Sequence, residues 1–312
     1  MTQGLIVLDK KIGLSSNQAL QRIRRLFKAQ LNLSLKMGHT GTLDPLATGM
    51  LPIFVGRATQ LCHYFSDQAK IYEAVIQLGE SRSTGDQEGE CLEKKSVPIL
   101  PDFENLLLFL KKFFLGPQWQ IPPMFSALKK DGKALYTLAR KGVEIERAPR
   151  KIEIFDINLL EFGKDYLKIK VHVSKGTYIR VLGEDIAKKL GTLGYLSALR
   201  RISVNGFAES LMQSEAVISE DPNAALLNLN SVIPWPVIAL SSDEFNALRQ
   251  GKYPAVLDYL LENLPDGMIF IYQDVKNIRD IKDIKDIKDE IKTPSAFGRV
   301  ENKRLVMRKF FI

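Results

Sequence analysis

The sequence predicts a mixed α+β protein in two parts, and three observations predict it. At 312 residues and 45% hydrophobic, the chain has the length of about two ordinary domains, each with its own core. Segments that alternate apolar and polar residues, at 70–79, 151–159 and 166–174, are interleaved with segments whose apolar residues recur at helical spacing. A Pro-Trp-Pro stretch at 234–236 follows an Asn/Ser-rich, linker-like run at 228–231 and sets off a tail of about 75 residues. The boundary is placed between 237 and 238.

Taken in order, residues 4–10 read as a short strand, and Ser15 or Ser16 then caps a helix. Ala19, Leu20, Ile23, Leu26 and Phe27 follow helical spacing, so this helix buries one stripe and turns Arg22, Arg24, Arg25 and Lys28 mostly to other faces. Residues 36–59 hold four glycines and two prolines, so the first half reads as loop and leads into the apolar run 50–55. Residues 70–79 form a strand with Tyr72, Ala74, Ile76 and Leu78 on one face, and 81–89 a polar turn. Residues 98–115 suggest a helix, and 116–142 a long basic loop with helical pieces around 134–140, the core of a basic insertion at 116–151. Strands follow at 151–159 and 166–174; the second sets Leu167, Ile169, Val171 and Val173 against Lys168, Lys170 and His172. Tyr178 and Arg180 read as a strand end and share a face. A helix is expected at 184–190, and another short one starting within 194–201. In the tail, Asp-Ile-Lys repeats from Asp280 to Asp289 fit neither the strand nor the helix period and read as a solvated insertion at 278–292. Beyond it, 295–312 returns to strand-like alternation.

The chain carries 44 Lys+Arg against 36 Asp+Glu, a net +8. That average conceals its distribution. Residues 10–36 hold seven basic residues and no acidic one, 111–201 hold 19 basic and 9 acidic, and the remainder sums to −9. A polyanion is the natural partner for such segments, with an ordinary basic surface as the plain alternative. No apolar run approaches the ~18 residues of a membrane span, and the first ten residues lack the pattern of a secretion signal. Two cysteines, Cys62 and Cys91, make neither a disulfide scaffold nor a zinc cluster, and His39, His63 and His172 show no ligand spacing. The expectation is a metal-free cytoplasmic protein.

The chemistry concentrates in Lys36-Met-Gly-His-Thr-Gly-Thr-Leu-Asp-Pro-Leu-Ala-Thr-Gly49. His39, Thr40, Thr42 and Asp44 lie in a glycine-rich loop before an apolar strand, and Pro45 biases Asp44 toward extended backbone. Such a loop can present one carboxylate rigidly; an Asp before Pro can also simply organise a turn. Gly38-His-Thr-Gly41 matches the clamp of KH domains, which joins two helices that this sequence does not supply. A hydrolase reading with His39, Asp44 and Ser15 or Ser16 lacks the Gly-x-Ser-x-Gly elbow.

As a whole, residues 38–49 closely resemble the catalytic motif of bacterial tRNA pseudouridine-55 synthases of the TruB family. The resemblance continues in order through Leu8-Asp-Lys-Lys-Ile-Gly-Leu-Ser-Ser16, Lys70-Ile-Tyr72, Gln120-Ile-Pro-Pro-Met-Phe-Ser-Ala127, Ser174-Lys-Gly-Thr-Tyr-Ile-Arg180 and Leu199-Arg-Arg201. It weakens after residue 233, where the tail looks like a small PUA RNA-binding domain. Two positions depart from the family pattern: Lys11 stands where proline is usual, and Ser83 where an acidic residue is frequent.

The resemblance implies the pseudouridine synthase fold, with a central, largely antiparallel mixed sheet flanked by helices, in residues 1–237, and a PUA-like domain in 238–312. It implies isomerisation of uridine 55 in the tRNA T loop by a monomer that needs no cofactor and no protein partner. Asp44 becomes the nucleophile, Arg180 the cation that keeps it ionised, and Tyr72 an aromatic that packs on the uracil or takes a proton. Tyr178 and Leu199 line the pocket, His39 inserts among the loop nucleotides, and Lys10 contacts phosphate or steadies the active-site loop. Asp86 is ranked as a supporting carboxylate because its turn shows no adjacent cationic strand. The basic stretch 129–151 is expected to close over the RNA. A non-catalytic tRNA-binding or folding protein, and a guide-RNA-dependent relative that needs partner proteins, are the competing readings.

Overall fold

The structure, a computed structural model, describes residues 3–126, 128–130, 132–139, 141–273 and 294–311; the Asp-Ile-Lys repeat lies outside them. In chain order the first part comprises β1 (Gly4–Lys10), α1 (Ser16–Leu31), β2 (Met37–His39), β3 (Thr48–Val55), α2 (Cys62–Ser66), β4 (Lys70–Leu78), β5 (Glu80–Arg82), β6 (Cys91–Lys94), α3 (Phe103–Phe114) and β7 (Gly116–Gln120). There follow β8 (Lys129–Lys130), β9 (Lys133–Ala134), α4 (Leu135–Ala139), β10 (Arg150–Phe162), β11 (Tyr166–Val173), α5 (Ile179–Lys189), β12 (Gly194–Val204), α6 (Glu215–Glu220) and α7 (Leu229–Val232). The tail adds β13 (Val237–Leu240), α8 (Ser242–Arg249), α9 (Val256–Leu261), β14 (Gly267–Gln273), β15 (Ala296–Glu301) and β16 (Arg304–Phe310).

Helix α1 starts where the sequence places it. The Ser15 hydroxyl accepts from the Gln18 N–H, and the Gln18 side chain accepts from the Ser15 N–H, a reciprocal cap. Its buried stripe includes Ala19, Leu20, Ile23 and Phe27, which pack on the central sheet. That sheet runs β1-β3-β12-β4-β11-β10-β7, with β2 paired to β3. Every neighbouring pair is antiparallel except β3 and β12. Strand β4 alternates buried and half-buried residues as its sequence predicts, with Tyr72, Ala74, Ile76 and Leu78 inward.

Three sequence expectations are corrected. Residues 194–204 form strand β12, not a helix. Register shifts between Leu196 and Ala198 and between Arg201 and Ser203 move the inward positions from 194 and 196 to 199 and 201, so the period of two is broken. Arg180 is not at a strand end, because α5 begins at Ile179. Tyr178 offers no capping side chain; Gln120 of β7 grips it instead, accepting its N–H at 2.8 Å and donating to its carbonyl at 3.1 Å. The basic loop begins with an edge strand, β7, paired to β10 through residues 116–120.

The linker-like run 228–231 is also packed, with Leu229 and Asn230 of α7 buried, and so is the boundary that follows it. Ile233 is fully buried, and Trp235 stacks on Phe65 and touches Phe270 and Phe297. The C-terminal sheet runs β13-β14-β15-β16, with β13 parallel to β14. Its Phe270, Tyr272 and Phe297 share one apolar cluster with Phe54, Phe65 and Phe207 of the first part. Among the described residues, no helix is long and apolar enough to cross a membrane.

Candidate active site

Asp44 sits in the loop between β2 and β3, and short hydrogen bonds hold that loop. The Ser16 hydroxyl clasps Leu43, donating to its carbonyl at 3.1 Å and accepting its N–H at 2.7 Å. Gly13 N–H donates to the Pro45 carbonyl and Ala47 N–H to the Asp44 carbonyl, which closes a turn around Pro45. Lys11, where the resemblance leads to an expectation of proline, is exposed, and the turn to Gly13 is made without proline there.

Helix α5 directs Arg180 at this loop from the opposite side. Its Nη2 lies 3.1 Å from Asp44 Oδ2, and the guanidinium also donates to the carbonyls of Thr84 and Phe125. Nε lies 3.7 Å from Asp86 Oδ2. Asp86 is buried, held by the Thr84 hydroxyl and the Glu88 N–H. The sequence shows no cationic strand beside Asp86; its cation comes instead from helix α5. Ser83, the second departure from the family pattern, accepts from Glu90 N–H and helps close the 83–90 turn.

Asp44 opens on a cavity of about 230 Å³ whose wall includes Tyr72, Tyr178, Arg180 and Leu199. Its side chain keeps 39% of its surface exposed, yet the recess strips away enough water to push its pKa above the usual carboxylate value; Arg180 opposes this and Asp86 adds to it. Burial likewise raises the Tyr178 phenol, against a hydrogen bond with Ser126. Tyr72 and Leu199 are nearly buried on neighbouring strands. The arrangement joins a carboxylate, a fixed guanidinium and two aromatic rings in one recess, which suits a flat base held against a nucleophile.

Lys10 and His39 stand elsewhere. Lys10 is buried, donating to the Lys11 and Leu14 carbonyls at 3.0 and 2.6 Å, and burial lowers its pKa to about 8. Of the two expected roles, these two bonds fit that of a loop anchor. His39 ends β2 outside the wall of the cavity; burial first, then Arg201, lower its pKa, and its Nδ1 is buried without a hydrogen-bond partner among the described residues.

Residues 24–179 match the model of the TruB family pseudouridylate synthase (N terminal domain). A tRNA pseudouridine synthase B of Francisella philomiragia subsp. philomiragia is 41% identical over 314 residues, covering 99% of this chain and 94% of the relative. One of Neisseria gonorrhoeae is 48% identical over 268 residues, covering 84% and 85%. This chain belongs to the TruB family. It is accordingly an isomerase, a pseudouridylate synthase. The crystal structure of a Cbf5-Nop10-Gar1 complex shares the fold across 99% of this chain and 85% of the other, with a TM-score of 0.65 at 20% identity.

In this TruB-family site, sequence reasoning passed over two cations. Lys70 and Arg201 both contribute to the cavity wall, and both are buried. Lys70 donates to the carbonyls of Ser66 and Gln68, and burial lowers its pKa to about 8. Arg201 donates to the carbonyls of Met50 and Gly41. A signal was present: Lys70 is two residues from Tyr72, and Arg201 two from Leu199, so each shares the face of a recognised pocket residue.

Proposed function

We propose that this enzyme converts uridine 55 of the tRNA T loop to pseudouridine, with the base swung out of its stack and Asp44 as nucleophile. The observation that carries the reading is the Asp44–Arg180 pair at 3.1 Å in a recess walled by Tyr72, Tyr178 and Leu199. Curated relatives named tRNA pseudouridine synthase B over most of the chain support tRNA as the substrate.

The reaction breaks the C1′–N1 bond, with N1 keeping the electron pair, turns the detached uracil, forms a C1′–C5 bond, releases the C5 proton and takes up a proton at N1, so composition and oxidation state are unchanged. Attack at uracil C6, attack at ribose C1′ and a glycal route opened at C2′ each use an ionised carboxylate beside the base. Arg180 favours that ionised form, offsetting desolvation. Tyr72 packs on the uracil, and Tyr178 and Leu199 bound the space in which it turns. His39 acts outside the recess, among the displaced loop nucleotides. The basic stretch 129–151 grips the stem through phosphates, which sets affinity while the recess sets chemistry. We assign 1–237 to the catalytic domain and 238–312 to a PUA-like domain that docks RNA, in a monomer that requires no protein partner.

The test is release of tritium from uridine C5 of a tRNA transcript by the purified chain. Release by the wild type and none by Asp44→Asn, with tRNA binding retained, is the expected result. Unchanged release by Asp44→Asn overturns the nucleophile assignment. Binding without any release by the wild type favours a non-catalytic RNA-folding role or dependence on partner proteins.

A further inference from the structure

Arg201 heads the fully buried side chains by volume, with 0% of its surface exposed. Two lysines lie in its field: it lowers the pKa values of Lys10 and Lys70, and that of His39 as well. A buried guanidinium among cations is unfavourable unless its hydrogen bonds justify it. Two of them do. Nε donates to the Met50 carbonyl at 2.8 Å, and Nη2 to the Gly41 carbonyl at 2.9 Å. Gly41 and Met50 bracket the segment that carries Asp44.

We infer that Arg201 is a positioning residue that sets the place of Asp44 by clamping both ends of its loop. This rests on Asp44 being the nucleophile. The guanidinium is planar, with donors in a fixed fork, so two simultaneous bonds hold the two carbonyls at a set separation. A single ammonium does not reproduce that span. The backbone repeats the clamp, because Arg201 pairs with Gly49 where β12 runs parallel to β3.

Two glycines make room for it. Gly49 has φ +94°, and a Cβ there would lie 2.2 Å from the Arg201 carbonyl oxygen. Gly41 has φ +71°, and a Cβ there would come within 3.1 Å of Arg201 Nη1 and of Lys70 Cε. The loop thus has its tip held by Arg180 from α5 and its base held by Arg201 from β12. Arg201 has no exposed surface although it backs the cavity wall, and the role assigned to it passes through the loop it holds.

The experiment compares Arg201→Met, Arg201→Lys, Gly41→Ala and Asp44→Asn by single-turnover tritium release, tRNA binding and thermal melting. Arg201→Met is expected to bind tRNA as the wild type does while its rate falls about 100-fold, the order of loss for a displacement near 1 Å. Arg201→Lys falls nearly as far, because it keeps the charge and loses the fork. Gly41→Ala, which disturbs the same contact from the loop side, also slows the reaction with binding intact, and it decides the matter if the Arg201 variants do not fold. A wild-type rate in folded Arg201→Met, a wild-type rate in Gly41→Ala, full rescue by Arg201→Lys, or equal losses of rate, affinity and Tm would each overturn the positioning role. Activity retained by Asp44→Asn overturns the Asp44 reading itself. An inactive Asp44→Asn beside a fully active Arg201→Met overturns only the clamp.

Discussion

Strand β3 joins two regions made of opposite materials. At its start, the Asp44 loop crowds Lys10, Lys70, Arg180, Arg201 and Asp86 into surroundings short of water, and the raised Asp44 pKa with the lowered Lys10 and Lys70 values record the resulting strain on charge. Further along the same strand, Phe54 meets Phe65, and from there an aromatic seam runs through Phe207, Trp235, Phe270, Phe297 and Phe311. Aromatic burial of this kind is strongly stabilising, whereas desolvated charges of the first kind are not. The contrast separates what holds the molecule together from what it does, and substitutions in the two regions should have opposite signatures.

The sharpest case is Asp44→Asn. Turnover should fall by at least about 10⁴-fold, as for other lost nucleophiles and their close partners. Stability should move the other way. Because folding raises the Asp44 pKa, the folded chain holds that proton more tightly than the unfolded chain, and the ionised form destabilises the fold once the pH exceeds the ordinary value of 3.8. The Tm of Asp44→Asn at pH 7 is therefore expected to rise, and a clear fall would break the contrast.

The seam should show the reverse. Phe297 is fully buried against Tyr64, Trp235 and Phe311, so Phe297→Ala should cost about 3–5 kcal/mol in urea unfolding. The folded fraction should react with bound tRNA at an unchanged single-turnover rate. A tenfold slower reaction would tie the seam to the chemistry. For the same reason, deleting 238–312 is a poor probe of RNA docking: it uncovers Phe54, Phe65 and Phe207 and is expected to leave an aggregating chain, which size-exclusion chromatography would reveal.

A smaller effect tests the charged region through pH. Lys10 and Lys70 titrate near 8 in the folded chain, against 10.5 for free lysine. Between those values the unfolded chain binds more protons at both positions, so their contribution to stability becomes more favourable as pH rises through that window. Unfolding free energy of the wild type, relative to a Lys10→Met/Lys70→Met double variant, should therefore climb from about pH 8 to about pH 10. A flat difference would mean that the two amines are not desolvated.

Much of the charged region was legible in the sequence, because Asp44, Tyr72, Tyr178, Arg180 and Leu199 stand in recognisable strings and meet at one recess. Strands β4 and β11 and helix α1 follow from alternation and an Ser15 cap. What escaped depends on distant partners. Tyr178, just before α5, is held by Gln120, fifty-eight residues away along the chain, and the alternation of β12 is hidden by two register shifts. Arg201 reads as one more basic residue until β12 is known to turn it inward. The run 228–231 reads as linker-like but lies at helix α7, and the packing of Trp235 between its two prolines shows only once the facing sheet is known.

The most direct test of the central claim is position-resolved chemical mapping of pseudouridine in a full tRNA transcript incubated with the purified chain alone. The account predicts one modified site, uridine 55 in the T loop, with the wild type and none with Asp44→Asn. Modification at another uridine, or at uridine 55 by both proteins, would contradict it.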